Sequence, residues 1–161
     1  MTASRCRYNR NLQAKIPPPV LAALVAAVMY GVSRSPWSLS FDTGLNGWIS
    51  SGLLLGGAVV AALGVIQFRR HKTTVDPLHP EKASTLVTSG IFSVTRNPMY
   101  VGLVLILLGV GVRFDSLAAV LIALGFAPLI TALQIRAEEA AMRDLFGSEF
   151  DAYVARTRRW I

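Results

Sequence analysis

Two short groups of polar residues lie beside long apolar runs, and both carry side chains that can hold a small ligand. The first group lies in the stretch from Leu86 to Tyr100 and includes Gly90 and Arg96. Gly90 permits a positive φ or a close approach to a ligand, and Arg96 has a permanent charge and a rigid fork of donors suited to a carboxylate. The alternative is a loop followed by a capped helix, with an arginine that only extends towards water.

The second group is a pair of adjacent carboxylates, Glu138 and Glu139, at the end of an apolar run. Neighbouring residues on a helix point about 100° apart, so both side chains cannot face water equally. We expect one of them to face the interior of the protein or to pair with a cation such as Arg96. An ionisable group that faces the interior of a membrane bundle is a functional candidate. The alternative is a solvated pair at a helix end.

Four apolar runs position these groups and predict an all-α fold, a polytopic membrane helical bundle with about four transmembrane helices. A cytoplasmic amphipathic helix is expected to follow at the C-terminal end. The 161 residues are 53% hydrophobic, which is more typical of a membrane protein than of a soluble domain. We interpret residues 1–161 as one membrane domain, with spans at about 17–33, 47–68, 98–112 and 116–135 and cytoplasmic segments at 69–97 and 136–161.

Single residues predict where several helices begin, bend or end. Pro98 fits the first turn of a helix, which should therefore start near Asn97. The polar stretch from Arg113 to Ser116 is short enough to make the flanking runs an antiparallel hairpin. Pro128 predicts a kink, and Gly147 predicts a helix end.

The distribution of positive charge predicts the orientation of the bundle. Fourteen of the sixteen lysines and arginines fall in the segments on one side, and only Arg34 and Arg113 fall on the other. This asymmetry follows the positive-inside rule, so both termini and the ligand site should be cytoplasmic. We expect an integral protein of a bacterial inner membrane. Its net charge of +7 then needs no nucleic acid partner.

The sequence offers little that could bind a metal ion. Cys6 is the only cysteine, which excludes a disulfide or a cysteine-based metal site within one chain. The only histidines, His71 and His79, stand eight residues apart, which matches no common ligand spacing. We therefore predict no metal site.

The chain resembles the integral-membrane methyltransferases related to isoprenylcysteine carboxyl methyltransferase and to phosphatidylethanolamine N-methyltransferase. The resemblance covers roughly residues 65 to 161, in the family's order and with family-like spacing. It is carried by four pieces: Leu86-Val-Thr-Ser-Gly90, Arg96-Asn-Pro-Met-Tyr100-Val-Gly102, Glu138-Glu139 and Phe146-Gly-x-x-Phe150-x-x-Tyr153.

The resemblance implies a methyltransferase that uses S-adenosylmethionine without a Rossmann domain and releases S-adenosylhomocysteine. An arginine suits the carboxylate of this cofactor, and a glutamate suits its ammonium group or ribose hydroxyls. Backbone groups around Leu86 to Gly90 could contact the adenine, and Tyr100 could pack on it or near the sulfonium. The expected catalytic residues are Arg96 and Glu138. The expected cofactor-binding residues are Leu86, Val87, Gly90, Arg96, Asn97, Pro98, Tyr100, Glu138 and Glu139.

The same resemblance implies a lipophilic small molecule or lipid as the methyl acceptor, entering from the bilayer. Many eukaryotic isoprenylcysteine enzymes have histidines where this chain has Ser84 and Asn97, so any proton handling by those histidines is absent here. A carboxylate acceptor needs no base, and a thiol can react as its thiolate. We therefore favour an isoprenylcysteine-type carboxylate, or a related small lipophilic acid or thiol.

Two alternatives and one open point accompany this interpretation. Methylation of a phospholipid amine is the alternative within the family. A non-catalytic membrane bundle or accessory subunit is the alternative of another class, and it has no use for the grouped Arg96, Tyr100 and Glu138. The oligomeric state stays open, although we expect the Gly52-x-x-x-Gly56 pattern to serve internal packing rather than a dimer.

Overall fold

The computed structural model describes residues 16–36, 38–41, 43–71 and 84–161. Within these ranges the regular structure is helical, and six α-helices follow one another along the chain. They are α1 (Pro18–Ser33), α2 (Asn46–Arg70), α3 (Pro98–Arg113), α4 (Leu117–Ile130), α5 (Arg136–Phe146) and α6 (Ser148–Arg156). Three expectations lie outside the described residues: those for the basic segment 1–15, for residues 72–83 of the cytoplasmic segment, and for His79.

Proline and serine set the starts of three helices. Pro18 and Pro98 occupy the first turns of α1 and α3, where a missing N–H costs no helical hydrogen bond. The predicted start of α3 beside Asn97 is therefore confirmed. Ser116 caps α4 by accepting a 3.2 Å hydrogen bond from the backbone N–H of Ala119.

Two helices of the described chain are long and apolar enough to cross a membrane. The first is α2, with 25 residues. The second is the continuous 30-residue helix Leu117–Phe146, which joins α4 to α5. The other two apolar helices, α1 and α3, have 16 residues each.

The boundary expected between a fourth span and an amphipathic segment, near residue 135, is not a break in the helix. Thr131–Ile135 forms a π-helical turn, and α5 continues from it to Phe146. Pro128 lies just before this turn. Because proline removes one hydrogen-bond donor from the helix, the chain changes its hydrogen-bond spacing locally instead of ending.

Glycines allow α2 and α3 to lie in close contact. A Cβ atom added to Gly57 would stand 2.7 Å from the carbonyl oxygen of Gly102, and one added to Gly102 would stand 2.6 Å from the carbonyl oxygen of Gly57. The expectation for Gly52 and Gly56 was wrong. A Cβ added to either residue meets nothing within 4 Å, because both point away from the neighbouring helices of the described chain.

A second apolar contact joins α1, α3 and α4. Met29 of α1 and Leu107 of α3 pack with Phe126 and Ile130 of α4, and all four side chains are at most 2% exposed. Tyr100, at the start of α3, belongs to the same cluster. This core holds the first turn of α3 against the far end of α4, where the polar residues lie.

The opposite end of the bundle is fixed around Asp115, in the predicted tight turn between α3 and α4. Its carboxylate accepts hydrogen bonds from the hydroxyl of Ser40, from the backbone N–H of Phe41 at 3.0 Å and from Nδ2 of Asn46 at 3.1 Å. These hydrogen bonds, of which the one from Ser40 has the largest effect, hold the pKa of Asp115 below its usual value. The turn is therefore tied to the loop that precedes α2.

Candidate functional site

Tyr100 and Glu138 meet in the interior at one end of the bundle. Tyr100 lies on the first turn of α3 and is 4% exposed. Its hydroxyl donates a 2.5 Å hydrogen bond to Oε1 of Glu138, on the first turn of α5. Within the described chain Glu138 forms no ion pair. The carboxylate is thus oriented by a neutral donor, and no cation pairs with it among the residues that the structure describes. Burial raises the pKa of Glu138 to about 7.

Glu139 has a different environment, between two arginines. The guanidinium of Arg159 donates to both of its oxygens, from Nε at 2.9 Å and from Nη2 at 2.6 Å. Nη2 of Arg96 lies 3.1 Å from Oε1 of the same carboxylate. The hydrogen bonds to Glu139 raise the pKa of Arg159. The expected pairing of one glutamate with Arg96 is therefore seen, and it involves Glu139.

Arg96 has donors that its protein partners do not use. The side chain is 9% exposed. Its Nε and Nη1 atoms are buried and have no hydrogen-bond partner among residues 16–36, 38–41, 43–71 and 84–161. Buried polar groups in proteins are normally hydrogen-bonded, so such atoms call for an explanation. The two atoms belong to different edges of the guanidinium, so an anionic ligand group beside Arg96 could accept a hydrogen bond from either of them.

The C-terminal residues hold the segment that carries Arg96. The backbone N–H of Arg96 donates to the carbonyl oxygen of Arg158 at 3.0 Å, next to a single parallel bridge between Thr95 and Arg158. Nδ2 of Asn97 donates to the carbonyl oxygen of Arg159 at 3.0 Å. The amide of Asn97, expected to contact the cofactor, therefore anchors the chain end in this structure.

Tyr153 of α6 holds the loop before α3 at a second point, near Phe92. Its hydroxyl donates a 2.7 Å hydrogen bond to the carbonyl oxygen of Phe92. Burial raises the pKa of Tyr153 to about 12. The ring of Phe92 packs edge-on against Phe68 of α2, with 4.9 Å between the ring centres. The loop before α3 is therefore fixed between the end of α2 and the last helix.

Gly90 and its neighbours lie beside the end of α2. Gly90 has a φ of +60° and begins a 3₁₀ turn, Gly90–Ser93, as its expected conformational freedom allows. A Cβ added to it would stand 3.0 Å from Nε2 of Gln67, whose side chain donates to the hydroxyl of Ser89 at 2.7 Å. Just before this turn, Val87 is buried and Leu86 half-buried.

The predicted site residues thus fall into two sets. In the first set, Tyr100 is hydrogen-bonded to Glu138, and Arg96 is paired with the adjacent Glu139. Asn97 and Pro98 lie between Arg96 and Tyr100 in the chain. The second set precedes the first along the chain and consists of Leu86, Val87 and Gly90. Of these, Gly90 lies against Gln67, near the end of α2.

Two residues that the sequence did not single out belong to this region. Arg159 was visible only as part of a basic chain end. Gln134 was visible as a lone amide in an apolar run. Its side chain is fully buried, and both of its polar atoms lack a hydrogen-bond partner within the described ranges. No group of three or more metal-binding side chains is present in the part of the chain that the structure describes.

Comparison with known proteins places these residues in a family. Residues 45–149 match the family described as phospholipid methyltransferase. The match includes Arg96, Tyr100, Glu138 and Glu139, and it ends before Tyr153. No solved structure matches the chain significantly.

Two curated proteins are similar to most of this chain. The cobalt-zinc-cadmium resistance protein CzcN of Cupriavidus metallidurans is 34% identical over 142 residues, which cover 86% of this chain and 58% of that protein. The nickel-cobalt-cadmium resistance protein NccN of Alcaligenes xylosoxydans xylosoxydans is 32% identical over 142 residues, which cover 86% of this chain and 59% of that protein. The chain therefore spans less than two thirds of the length of these relatives. Because the family match extends over more than half of its residues, the chain belongs to the phospholipid methyltransferase family.

Proposed function

We propose that this protein is an integral-membrane methyltransferase that uses S-adenosylmethionine to methylate a lipophilic acceptor. The observation that carries the proposal is a pair of buried donors on Arg96 that have no partner among the described residues. Within the same residues, the nearby carboxylate of Glu138 forms no ion pair. Family membership supplies the class of reaction. The two together make a zwitterionic cofactor the ligand that this region fits best.

The membrane placement rests on the apolar surface of the bundle. On α2, the side chains of Leu55, Val59 and Leu63 are between 45% and 69% exposed. Only 17% of the most apolar window of this helix is buried inside the protein, whereas the core helix of a soluble protein would be mostly buried. Lipid is the solvent that such a surface requires.

We further propose four spans, with both termini and the site on the cytoplasmic side of a bacterial inner membrane. The charge asymmetry of the sequence supports this orientation. The 16 residues of α1 and of α3 reach about 24 Å at 1.5 Å per residue, which is short of a full hydrocarbon core. Local thinning of the bilayer around these two helices would accommodate them.

Cofactor binding divides the two glutamates between different tasks. No described residue accepts a hydrogen bond from Nε or Nη1 of Arg96, so either donor is available for the carboxylate of S-adenosylmethionine. The carboxylate of Glu138 has no ion pair among the described residues and can take the ammonium group, whose positive charge would favour the ionised form of the carboxyl. Glu139 is instead occupied by Arg159 and Arg96. We therefore assign Glu138 to the ligand and Glu139 to the positioning of Arg96.

When bound, the cofactor supplies a methyl group activated by a sulfonium. The protein has to hold donor and acceptor in line and to keep water away from the reacting atoms. Tyr100 and Glu138 lie at the junction between the polar cluster and the apolar core that contains Ile130 and Phe126. An acceptor entering from the bilayer would reach the site across this junction.

The acceptor that we favour is a lipophilic acid or thiol, because neither requires a base when it is already ionised. The family description favours a second candidate, the amine of a phospholipid. An amine must lose a proton during the reaction, and Glu138 is the carboxylate placed to accept one. The two candidate reactions can therefore be distinguished by finding which acceptor becomes methylated.

The alternative of another class is a non-catalytic membrane subunit. The names of the two relatives concern resistance to metal ions, which is compatible with either an enzyme or an accessory protein. A purely structural subunit gives no account of the unpartnered donors on Arg96. It predicts no affinity for S-adenosylmethionine or its product.

Transfer of a labelled methyl group tests the proposal. Purified protein in vesicles receives S-adenosylmethionine with a tritiated methyl group, together with phosphatidylethanolamine, an S-farnesylated cysteine carboxylate or a long-chain thiol in separate reactions. We expect label in one of the last two, and none with Glu138→Gln. Label in phosphatidylethanolamine alone would select the amine reaction. An absence of label in all three, together with no binding of S-adenosylhomocysteine, would contradict the methyltransferase assignment.

A further inference from the structure

Gln134 combines complete burial with a side chain that finds no partner. It is 0% exposed, and both Nε2 and Oε1 lack a hydrogen bond to the residues that the structure describes. Burying an amide without hydrogen bonds costs free energy, about 1–3 kcal/mol by mutational measurements. A buried carboxamide without a partner among the described residues therefore calls for an explanation.

The position of Gln134 connects it to the proposed cofactor site. It lies in the π-helical turn Thr131–Ile135, four residues before Glu138 on the same continuous helix. Residues four apart lie about one turn apart on a helix. A π-helical turn shifts the direction of its side chains relative to a regular helix, and such turns are frequent at functional sites. The neighbouring Ile130 and Ile135 are 0% exposed, so the surroundings of the amide are apolar.

The chemistry of a carboxamide narrows the choice of ligand group. It offers one acceptor and two donors side by side and carries no charge. Among the groups of the cofactor, the carboxylate and the ammonium suit Arg96 and Glu138, which carry the opposite charges. The adenine is flat, neutral and apolar on its faces, and its edge presents an acceptor nitrogen beside the N6 amino donor. Glutamine pairs with that edge through two hydrogen bonds.

We infer that the carboxamide of Gln134 binds the adenine edge of the cofactor and thereby selects adenine over other bases. This inference rests on the proposed function, because it places Gln134 in the site for S-adenosylmethionine. It extends that site from the polar cluster at Arg96 along the helix to the buried π-helical turn Thr131–Ile135. It also assigns the adenine a side-chain contact in addition to any contact made by the backbone around Gly90.

Binding of two cofactor products tests the inference. The first is S-adenosylhomocysteine. The second is S-inosylhomocysteine, in which the N6 amino donor is replaced by a carbonyl acceptor. Wild-type protein should prefer the adenosyl compound by about tenfold or more, since each bidentate base contact contributes about 1–3 kcal/mol of discrimination. Gln134→Met, a substitution of similar length, should lose this preference and bind the adenosyl compound at least about tenfold more weakly.

Thr131→Val is the matched control, because the hydroxyl of Thr131 lies on the same turn and already donates to the carbonyl oxygen of Ala127 at 2.7 Å. It should keep both the affinity and the preference. Thermal unfolding of the ligand-free proteins supplies a readout independent of ligand. Gln134→Met should unfold at the same temperature as wild type or a higher one, because it removes the buried unpaired amide.

Three results would overturn the inference. They are equal binding of both compounds by wild type, a wild-type preference kept by Gln134→Met, and a loss of affinity in Thr131→Val as large as that in Gln134→Met. Each of these leaves the proposed function intact, because the wild type still binds S-adenosylhomocysteine. Failure of the wild type to bind either compound would instead remove the proposed function and the inference together.

Discussion

The hydroxyl of Tyr100 donates a 2.5 Å hydrogen bond to Oε1 of Glu138 and so joins the first turn of α3 to the first turn of α5. The two residues stand 38 positions apart in the sequence. A neutral donor fixes the direction of the carboxylate and brings no positive charge to it. Glu138 therefore remains able to attract the ammonium group of a ligand, whereas Glu139 is neutralised by Arg159 and Arg96.

Removal of this hydroxyl should weaken ligand binding. Tyr100→Phe keeps the ring in the core and loses the hydrogen bond to Glu138. A hydrogen bond to a charged group contributes about 1.5–3 kcal/mol, so we expect S-adenosylhomocysteine to bind about tenfold more weakly in calorimetry. Tyr30→Phe is the control, since Tyr30 is 56% exposed and packs at the other side of the bundle against Phe114. Unchanged affinity in Tyr100→Phe would show that the orientation of Glu138 does not matter for the ligand.

The bidentate contact between Arg159 and Glu139 should contribute measurably to stability. A double-mutant cycle with Arg159→Lys and Glu139→Gln, followed by thermal unfolding, isolates the pair. We expect a coupling free energy of about 1–2 kcal/mol, because the contact is bidentate and Glu139 is 16% exposed. The coupling free energy should not exceed this range, because the side chain of Arg159 is 37% exposed and water screens its charge.

The pair Arg143–Asp151 is the matched control for that cycle. It is also an arginine–carboxylate pair near the chain end, but its side chains are 50% and 58% exposed. Exposed pairs contribute about 0–1 kcal/mol, so its coupling should be the smaller of the two. Equal coupling in both cycles would mean that the contact between Arg159 and Glu139 is an ordinary surface pair.

Adjacent glycines of α2 should respond in opposite ways to alanine. Gly57→Ala places a Cβ 2.7 Å from the carbonyl oxygen of Gly102, which should destabilise the protein by about 1–3 kcal/mol. Gly56→Ala meets nothing within 4 Å and should be neutral or stabilising by up to about 1 kcal/mol through helix propensity. Thermal unfolding in detergent compares the two. A similar loss in both would contradict the close contact between α2 and α3.

The hydroxyl of Tyr153 should stabilise the loop before α3 in a pH-dependent way. Burial raises its pKa in the folded protein to about 12, above the ordinary value of 10.0. The stabilisation is therefore complete below about pH 10 and is lost as the pH rises towards 12. Tyr153→Phe also removes the hydrogen bond to the carbonyl oxygen of Phe92, so it should unfold at a lower temperature at pH 8.

The pH dependence separates the two effects of this substitution. Between pH 10 and 12, wild type should lose more stability than Tyr153→Phe, because only the wild type has this proton to release. Parallel decreases in the two proteins over this range would show that Tyr153 does not titrate with a raised pKa. Unfolding temperatures of both proteins, measured at several pH values, distinguish these two outcomes.

Local chemistry allowed the sequence to predict most of the helices. Pro98 fixed the start of α3, the residues from Arg113 to Ser116 fixed a turn, and Gly147, with a φ of +51°, separates α5 from α6. These signals act over a few residues and so can be recognised without the fold. Pro128 predicted a kink in the helix, but the sequence did not predict the π-helical turn Thr131–Ile135 through which the helix continues past the expected span boundary near residue 135.

The sequence predicted which charged residues form the site, but not which of them contact each other. Two adjacent glutamates and an arginine indicated an ion pair, but the identity of the paired glutamate depends on how α5 is rotated. The contact of Arg159 with Glu139 spans 20 residues, and the hydrogen bond of Tyr153 to Phe92 spans 61. Such contacts follow from tertiary packing. Gln134 carried no sequence signal beyond its polarity, because only the fold shows that its side chain is buried without a hydrogen-bond partner among the described residues.

Binding of S-adenosylhomocysteine to the detergent-purified protein, measured by calorimetry, tests the central claim most directly. Arg96→Ala, Glu138→Gln and the control Arg143→Ala are measured beside wild type. We predict binding to wild type and to Arg143→Ala, and its loss in Arg96→Ala and Glu138→Gln while all four proteins unfold cooperatively. Wild-type protein that is folded but does not bind, or variants that bind as wild type does, would contradict the assignment of this cluster to the cofactor.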